Sequence, residues 1–194
     1  MAQMSLIPIE RNHRDVIFTP DDVARDVVNY FKPTGKLLEP AKGDGVFLKY
    51  MPTASWCEVR EGKDFFAWSE QVDWIISNPP YSIFYDWILH SFKVAENIVY
   101  LIPAHKVFNS YRILRETYKY GGIKTLFIVA PGNEIGFDMG FCIAAVHWQR
   151  GWNGQITLAF RERNLTPREP DKRDSSPSQA FSQPEFLSDL EGLS

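Results

Sequence analysis

Cysteine is scarce in this chain: Cys57 and Cys142 are the only two among 194 residues, and both sit inside apolar runs. Two thiols so placed read as buried and reduced, which excludes a disulfide-built secreted scaffold and points to the cytoplasm. His13, His90, His105 and His147 show no metal-ligand spacing with each other or with the cysteines, so no metal is expected. No stretch approaches the roughly 20 apolar residues of a membrane span, and Met1 to Arg14 lacks the apolar core of a signal peptide. There is no Gly-Lys-Ser/Thr, which leaves a phosphate-binding loop unsupported. The net charge of −3 gives no overall basic signature for nucleic acid.

What is present suits one globular domain: 44% hydrophobic and 14% aromatic residues, enough for a full core. Apolar runs at Lys36–Glu39, Ser55–Val59, Asp73–Ser77, Asn97–Ile102, Lys124–Val129, Phe141–Trp148 and Gln155–Phe160 predict seven strands. Helical spacing predicts helices opening at Thr19-Pro20-Asp21-Asp22, over Val46–Met51, Ser82–Ala95 and Lys106–Tyr120. Thr19 is the expected N-cap of the first, with Pro20 at its first helical position. Alternating strands and helices argue for an α/β fold, a mostly parallel sheet with helices on both faces. The two strands separated only by a loop predict an antiparallel edge hairpin. The domain is expected over 1–163, with an irregular arm at 1–17. Residues 164–194 turn to Pro, Ser, Asp, Arg and Gln, the composition of a disordered tail.

Two segments carry chemistry. Asn78-Pro79-Pro80-Tyr81 follows the run Asp73–Ser77, at the end of a strand where open α/β sheets bind ligands. Two prolines hold the chain extended and leave their carbonyls free. With the Asn amide oxygen and an aromatic ring beside them, they can accept hydrogen bonds from a planar amine and stack on its plane. Adenine, cytosine and glutamine all present such an amine. A plain turn is the other reading.

The second segment is Glu39-Pro40-Ala41-Lys42-Gly43-Asp44-Gly45. Its glycines, at a strand-to-helix turn, let a ligand approach the backbone closely. Its acids repel phosphates and suit a positively charged or neutral adenosine ligand. Glu58, nineteen positions after Glu39, sits where an acid commonly binds a ribose diol, and Glu61 is a nearby alternative. Asp64 ends a third strand-end loop and can accept from an adenine amine, with Phe65 or Phe66 packed on the ring.

These motifs resemble S-adenosylmethionine-dependent DNA adenine-N6 methyltransferases, over about residues 15 to 150. Phe18-Thr19-Pro20 resembles the motif that contacts the methionine end of the cofactor, and Glu39–Gly45 the cofactor loop. Asn78-Pro79-Pro80-Tyr81 resembles the catalytic tetrapeptide. The resemblance implies a Rossmann-like class I methyltransferase fold and a cofactor site at Phe18, Thr19, Pro20, Glu39, Pro40, Ala41, Gly43, Asp44, Gly45, Glu58, Asp64, Phe65 and Asn78. Asn78, Pro79, Pro80 and Tyr81 would be catalytic.

Between Lys93 and Lys124 basic residues outnumber acidic ones and are interleaved with Phe108, Tyr111, Tyr118 and Tyr120, a pattern that suits nucleic acid or a solvated helix face. Lys106, Arg112, Arg115 and Lys119 are the candidate phosphate contacts. Tyr81 would stack on the target base, and Phe137, in the loop 131–138, would line its pocket unless that loop is only a hairpin connection. The chain has little room for a sequence-recognition region after Tyr81, and its size and motif order resemble small phage or prophage enzymes, which work in the host cytoplasm. RNA adenine or protein glutamine methylation stays open, as does a non-catalytic nucleic-acid binding module.

Overall fold

Alternation of apolar side chains sets the layers of the molecule, because successive residues of a strand point to opposite faces. Ile75, Ile98, Tyr100, Val146 and Trp148 belong to one buried cluster. Their neighbours Ile76, Val99, Leu101 and Ala145 belong to a second. In a computed structural model that describes residues 17–162, both faces of the central strands are therefore covered. The arm expected before residue 17 and the tail expected at 164–194 lie outside the described residues.

The strands are β1 (Leu37–Glu39), β2 (Ser55–Trp56), β3 (Val72–Ser77), β4 (Ala95–Pro103), β5 (Gly121–Pro131), β6 (Cys142–Arg150) and β7 (Thr157–Phe160). The helices are α1 (Asp21–Phe31), α2 (Phe84–Val94), α3 (His105–Phe108) and α4 (Tyr111–Tyr120). They build a seven-stranded sheet in the order β2-β1-β3-β4-β6-β5-β7. Neighbours pair parallel except at β6, which runs antiparallel to both β4 and β5. This is the Rossmann-like class I methyltransferase architecture. The antiparallel hairpin joins β5 to β6, with β6 inserted between β4 and β5 and β7 outside it along β5. Valines 23, 27 and 28 of α1 pack on one face. Trp87 and Ile88 of α2 and Ile113 of α4 pack on the other.

Burying each large apolar side chain is worth about 1.5–3 kcal/mol, and two of the polar groups carried inside pair there, while Trp87 Nε1 is buried without a partner among the described residues. Trp148 Nε1 donates to Thr117 Oγ1 at 3.2 Å, and the Tyr100 hydroxyl meets Ser91 Oγ at 2.7 Å.

Several elements differ from expectation. β2 stops at Trp56, and Glu58 opens a 3₁₀ turn over Val59–Glu61 instead of extending the strand. The helix expected over 106–120 is broken at Asn109-Ser110. Ser110 is extended there, and its hydroxyl accepts the Ile113 N–H, so a second helix begins. The first helix has Pro20 at its N-cap position and no side-chain cap. Thr19 is not the cap because its hydroxyl is engaged elsewhere, as follows.

Candidate active site

The strand order reverses around β1: the chain leaves it for β2 on one side and returns to β3 on the other. A crevice opens at the carboxyl ends of strands at such a switch point. Here those ends are Glu39 of β1 and Ser77 of β3, and the Ser77 hydroxyl donates to Glu39 Oε1 at 2.5 Å, tying the two strands together. The Ala41 N–H adds a bond to the same oxygen at 3.3 Å. Glu39 is only 1% exposed, and its second oxygen, Oε2, is buried with no hydrogen-bond partner among the described residues. Burial, with the charges of Asp44 and Glu58 nearby, pushes the carboxyl up to about 8.

The glycine loop is built around a turn in which Gly43 and Gly45 have φ of +55° and +80°. That left-handed region costs any residue with a Cβ about 1–2 kcal/mol. Where a Cβ on Gly43 would point, the nearest atom is the Ala41 carbonyl oxygen at 4.0 Å, so the backbone here faces open space. Glu58 holds the loop in place: Oε2 accepts the Gly43 N–H and Oε1 the Arg60 N–H, each at 3.1 Å. Asp64 Oδ1 accepts the Phe66 N–H at 3.0 Å and starts a 3₁₀ turn. Glu61 is paired with Lys42. Beside Asp64 a cleft of about 430 Å³ is lined by Trp56, Lys63 and Trp68, among others.

The tetrapeptide follows Ser77 directly. The Asn78 side chain donates through Nδ2 to the Ile17 carbonyl at 3.0 Å and to the Thr19 hydroxyl at 3.2 Å. A carbonyl can only accept, so the amide's orientation is fixed, with Oδ1 left as an acceptor. Pro79 and Pro80 are buried. The Tyr81 hydroxyl donates to the Leu101 carbonyl at 3.2 Å, which pins the ring, and burial raises the phenol far above its usual value. Lys106 donates to the Tyr81 carbonyl at 3.1 Å, and its ammonium lies 5.5 Å from that ring.

The three motifs thus converge: Thr19 touches Asn78, Ser77 touches Glu39, and Glu58 touches Gly43. Pro20, Pro40, Ala41, Gly45 and Asp44 lie in the same connected turns, and Phe18 is exposed at their rim. Three expected residues fall elsewhere. Phe65 is buried in the core, its ring 4.7 Å from Trp87 and 4.8 Å from His90, so it supports the Asp64 turn from beneath. Phe137 is likewise buried, in the cluster with Ile143 and Ala130, because the loop after β5 folds back with Phe137 N–H on the Gly132 carbonyl. Lys106 serves the tetrapeptide, not the exposed helix face. Arg112 stacks on Tyr85, and Arg115 and Lys119 both pair with Glu116.

Sequence reading missed Ser77, Ile17, Phe141 and Arg161. Phe141, just before β6, is exposed, its ring 4.5 Å from that of His105; its neighbour Cys142, expected from the sequence to be buried, is exposed at the start of the strand, and its carbonyl accepts the Ala104 N–H that opens α3. Arg161, just past β7, is buried and donates to Asp22 and Asp26 of α1 at 2.7 and 2.6 Å. No local signal marks a pair 135 residues apart.

No protein-family model matches the sequence, and no curated protein matches it. Solved structures share the fold. A protein described as a class I S-adenosylmethionine-dependent methyltransferase of Listeria monocytogenes superposes with a TM-score of 0.59 at 14% identity, over 80% of this chain and 69% of that one. The methyltransferase subunit of a type I restriction-modification system of Streptococcus thermophilus gives 0.55 at 11% identity, over 74% of this chain and 47% of that one. The chain of DrdV in its complex with DNA gives 0.52 at 12% identity, over 76% and 28%. The chain thus spans about two thirds of the first protein and under half of the other two. Among the described residues no helix is long and apolar enough to cross a membrane, and no cluster of His, Cys, Asp and Glu could hold a metal.

The residues of the crevice fit the adenosyl cofactor that this fold implies. The orphaned Glu39 Oε2 can accept from a cationic or hydroxyl group, and the bare Gly43 backbone admits close approach.

Proposed function

We propose that this chain transfers a methyl group from S-adenosylmethionine to the exocyclic amine (N6) of adenine in DNA. The orientation of Asn78 carries this reading: with Nδ2 committed to Ile17 and Thr19, the side chain offers its oxygen to an incoming amine. The likeness in fold to a restriction-modification methyltransferase subunit and to a protein solved with DNA supports DNA as the substrate. Glu39, Gly43, Glu58 and Asp64 would hold the cofactor, which when bound supplies an electrophilic methyl carbon.

An adenine amine is a weak nucleophile because its lone pair is delocalised into the ring. Asn78 Oδ1 and the Pro79 carbonyl accept its two N–H bonds and shift the nitrogen toward a tetrahedral shape. Alignment of such reactants is worth up to about 7–11 kcal/mol. Tyr81, its hydroxyl tied to Leu101, stacks on the base at about 1–3 kcal/mol. Its phenol stays protonated, so it holds the base and takes no proton; the proton lost by the amine passes to water. A target base held in a duplex must leave it first, at a cost of a few kcal/mol that is smaller in a single strand or at a mismatch. Burial pushes the Cys57 thiol up to about 11, and partial desolvation raises that of the more exposed Cys142. Neither supplies the thiolate that attack at cytosine carbon-5 requires.

Filter assays with tritiated cofactor on DNA, RNA and protein test the proposal. Label is expected in DNA, recovered as N-methyladenine on digestion. Label in RNA or protein alone would replace the substrate, and none in any would remove the catalytic reading in favour of a binding module.

A further inference from the structure

We propose that the exposed face of α4 is a docking track for an unpaired DNA strand, leading away from the catalytic corner. This rests on the DNA reading above and adds the strand state of the substrate.

Helix α4 buries Ile113, Thr117 and Tyr120 and turns its other face outward. On that face Tyr111 is 79% exposed and Tyr118 85%, more than any other large apolar or aromatic residue described. A soluble helix gains nothing from two bare tyrosines. They stand seven positions apart, two turns, so their rings are on one side and about 10 Å apart along the axis. Arg112, Arg115 and Lys119 lie between and beside them, and the single carboxylate, Glu116, is shared by Arg115 and Lys119. The face is therefore cationic in a chain whose net charge is −3.

The track also connects to the site. Arg112 lies 4.1 Å over the ring of Tyr85, in the helix that begins after the tetrapeptide, and Lys106 one short helix earlier holds the Tyr81 carbonyl. Phe108, between the two along the chain, is also exposed. Aromatic faces alternating with cations match what a single strand presents: unstacked bases and a phosphate at each step. A duplex hides its base faces and would use the cations alone. An acidic protein segment would use the cations and leave the rings without stacked bases.

The test is fluorescence anisotropy of the full-length protein with a labelled mixed-sequence oligodeoxynucleotide, offered single-stranded, as a blunt duplex and as RNA. The single DNA strand is expected to bind at least tenfold tighter than the duplex. Tyr111→Ala with Tyr118→Ala should weaken it by tenfold or more, Tyr→Phe at both positions should restore it, and Arg112→Ala should lower the salt slope by about 0.7. Cofactor affinity by calorimetry and the melting temperature should stay the same in all variants, which shows they are folded. Equal binding by the alanine variant, tighter binding of the duplex, or tighter binding of RNA would overturn the proposal. If the single strand binds through the tyrosines and no methyl transfer occurs, the track stands and the catalytic reading falls.

Discussion

Glu39→Gln separates what the buried carboxyl does for the fold from what it does for the ligand. In the ligand-free protein the carboxyl is raised to about 8 from an ordinary value of 4.5, chiefly because burial disfavours its charge. The folded protein therefore keeps a proton that the unfolded chain has already released. Stability from this group is fully present below about pH 4.5 and is lost progressively as pH rises toward 8. Glutamine has the same shape, still accepts from Ser77 and the Ala41 N–H, and does not titrate. Between pH 5 and pH 7 the wild type should lose on the order of 2 kcal/mol relative to the variant. For a chain of this size that is a relative shift of roughly 4–8 °C in melting temperature. Thermal melts across this range at constant ionic strength are the assay. The ligand should report the opposite preference. A carboxylate facing a cationic group is worth about 1.5–3 kcal/mol over a neutral acceptor, so the variant should bind S-adenosylmethionine ten- to a hundredfold more weakly. Wild-type binding at pH 7 should release close to one proton, measured by calorimetry in buffers of different ionisation enthalpy, and variant binding none. Parallel stability curves for the two proteins would refute the argument at its root, because Glu39 would then be ionised and already compensated.

Other substitutions probe the remaining contacts. Asn78→Ala should lower the rate of methyl transfer by at least about a hundredfold, the usual cost of removing a positioned polar group at the reacting atom, while cofactor affinity changes little; loss of cofactor binding in a folded variant would refute its role toward the amine. Gly43→Ala places a Cβ in the open cradle at a φ of +55°, so calorimetry should show at least a tenfold weaker cofactor, and an unchanged affinity would remove this turn from the site. Glu58→Ala removes the anchor of the same turn and should weaken the cofactor as well, with little effect on nucleic-acid binding by anisotropy. Arg161→Ala leaves Asp22 and Asp26 without their buried cation and should destabilise the fold by about 1–3 kcal/mol in chemical denaturation, with Lys at this position restoring part of the loss.

The parts legible in the sequence were those governed by neighbours along the chain. Apolar runs located the strands, and the positions of Glu39, Gly43 and Asn78 at or just after strand ends followed from them. The antiparallel hairpin was legible too, because only a loop separates its strands. What escaped depended on contacts between distant segments. Thr19 has every local mark of an N-cap, yet its hydroxyl meets Asn78, 59 positions away, and Pro20 takes the cap position unaided. Phe65 and Phe137 sit in strand-end loops and read as ligand-facing, but an aromatic ring has much apolar area to bury, and the core beneath each turn takes it in. Tyr111 and Tyr118 of α4 went the other way: rings that the same apolar drive should hide are left in water, next to cations that share one carboxylate. A buried aromatic at a strand-end loop is thus weak support for a ligand contact. A bare one on a helix whose opposite face is already filled is better support, since packing has no use for it.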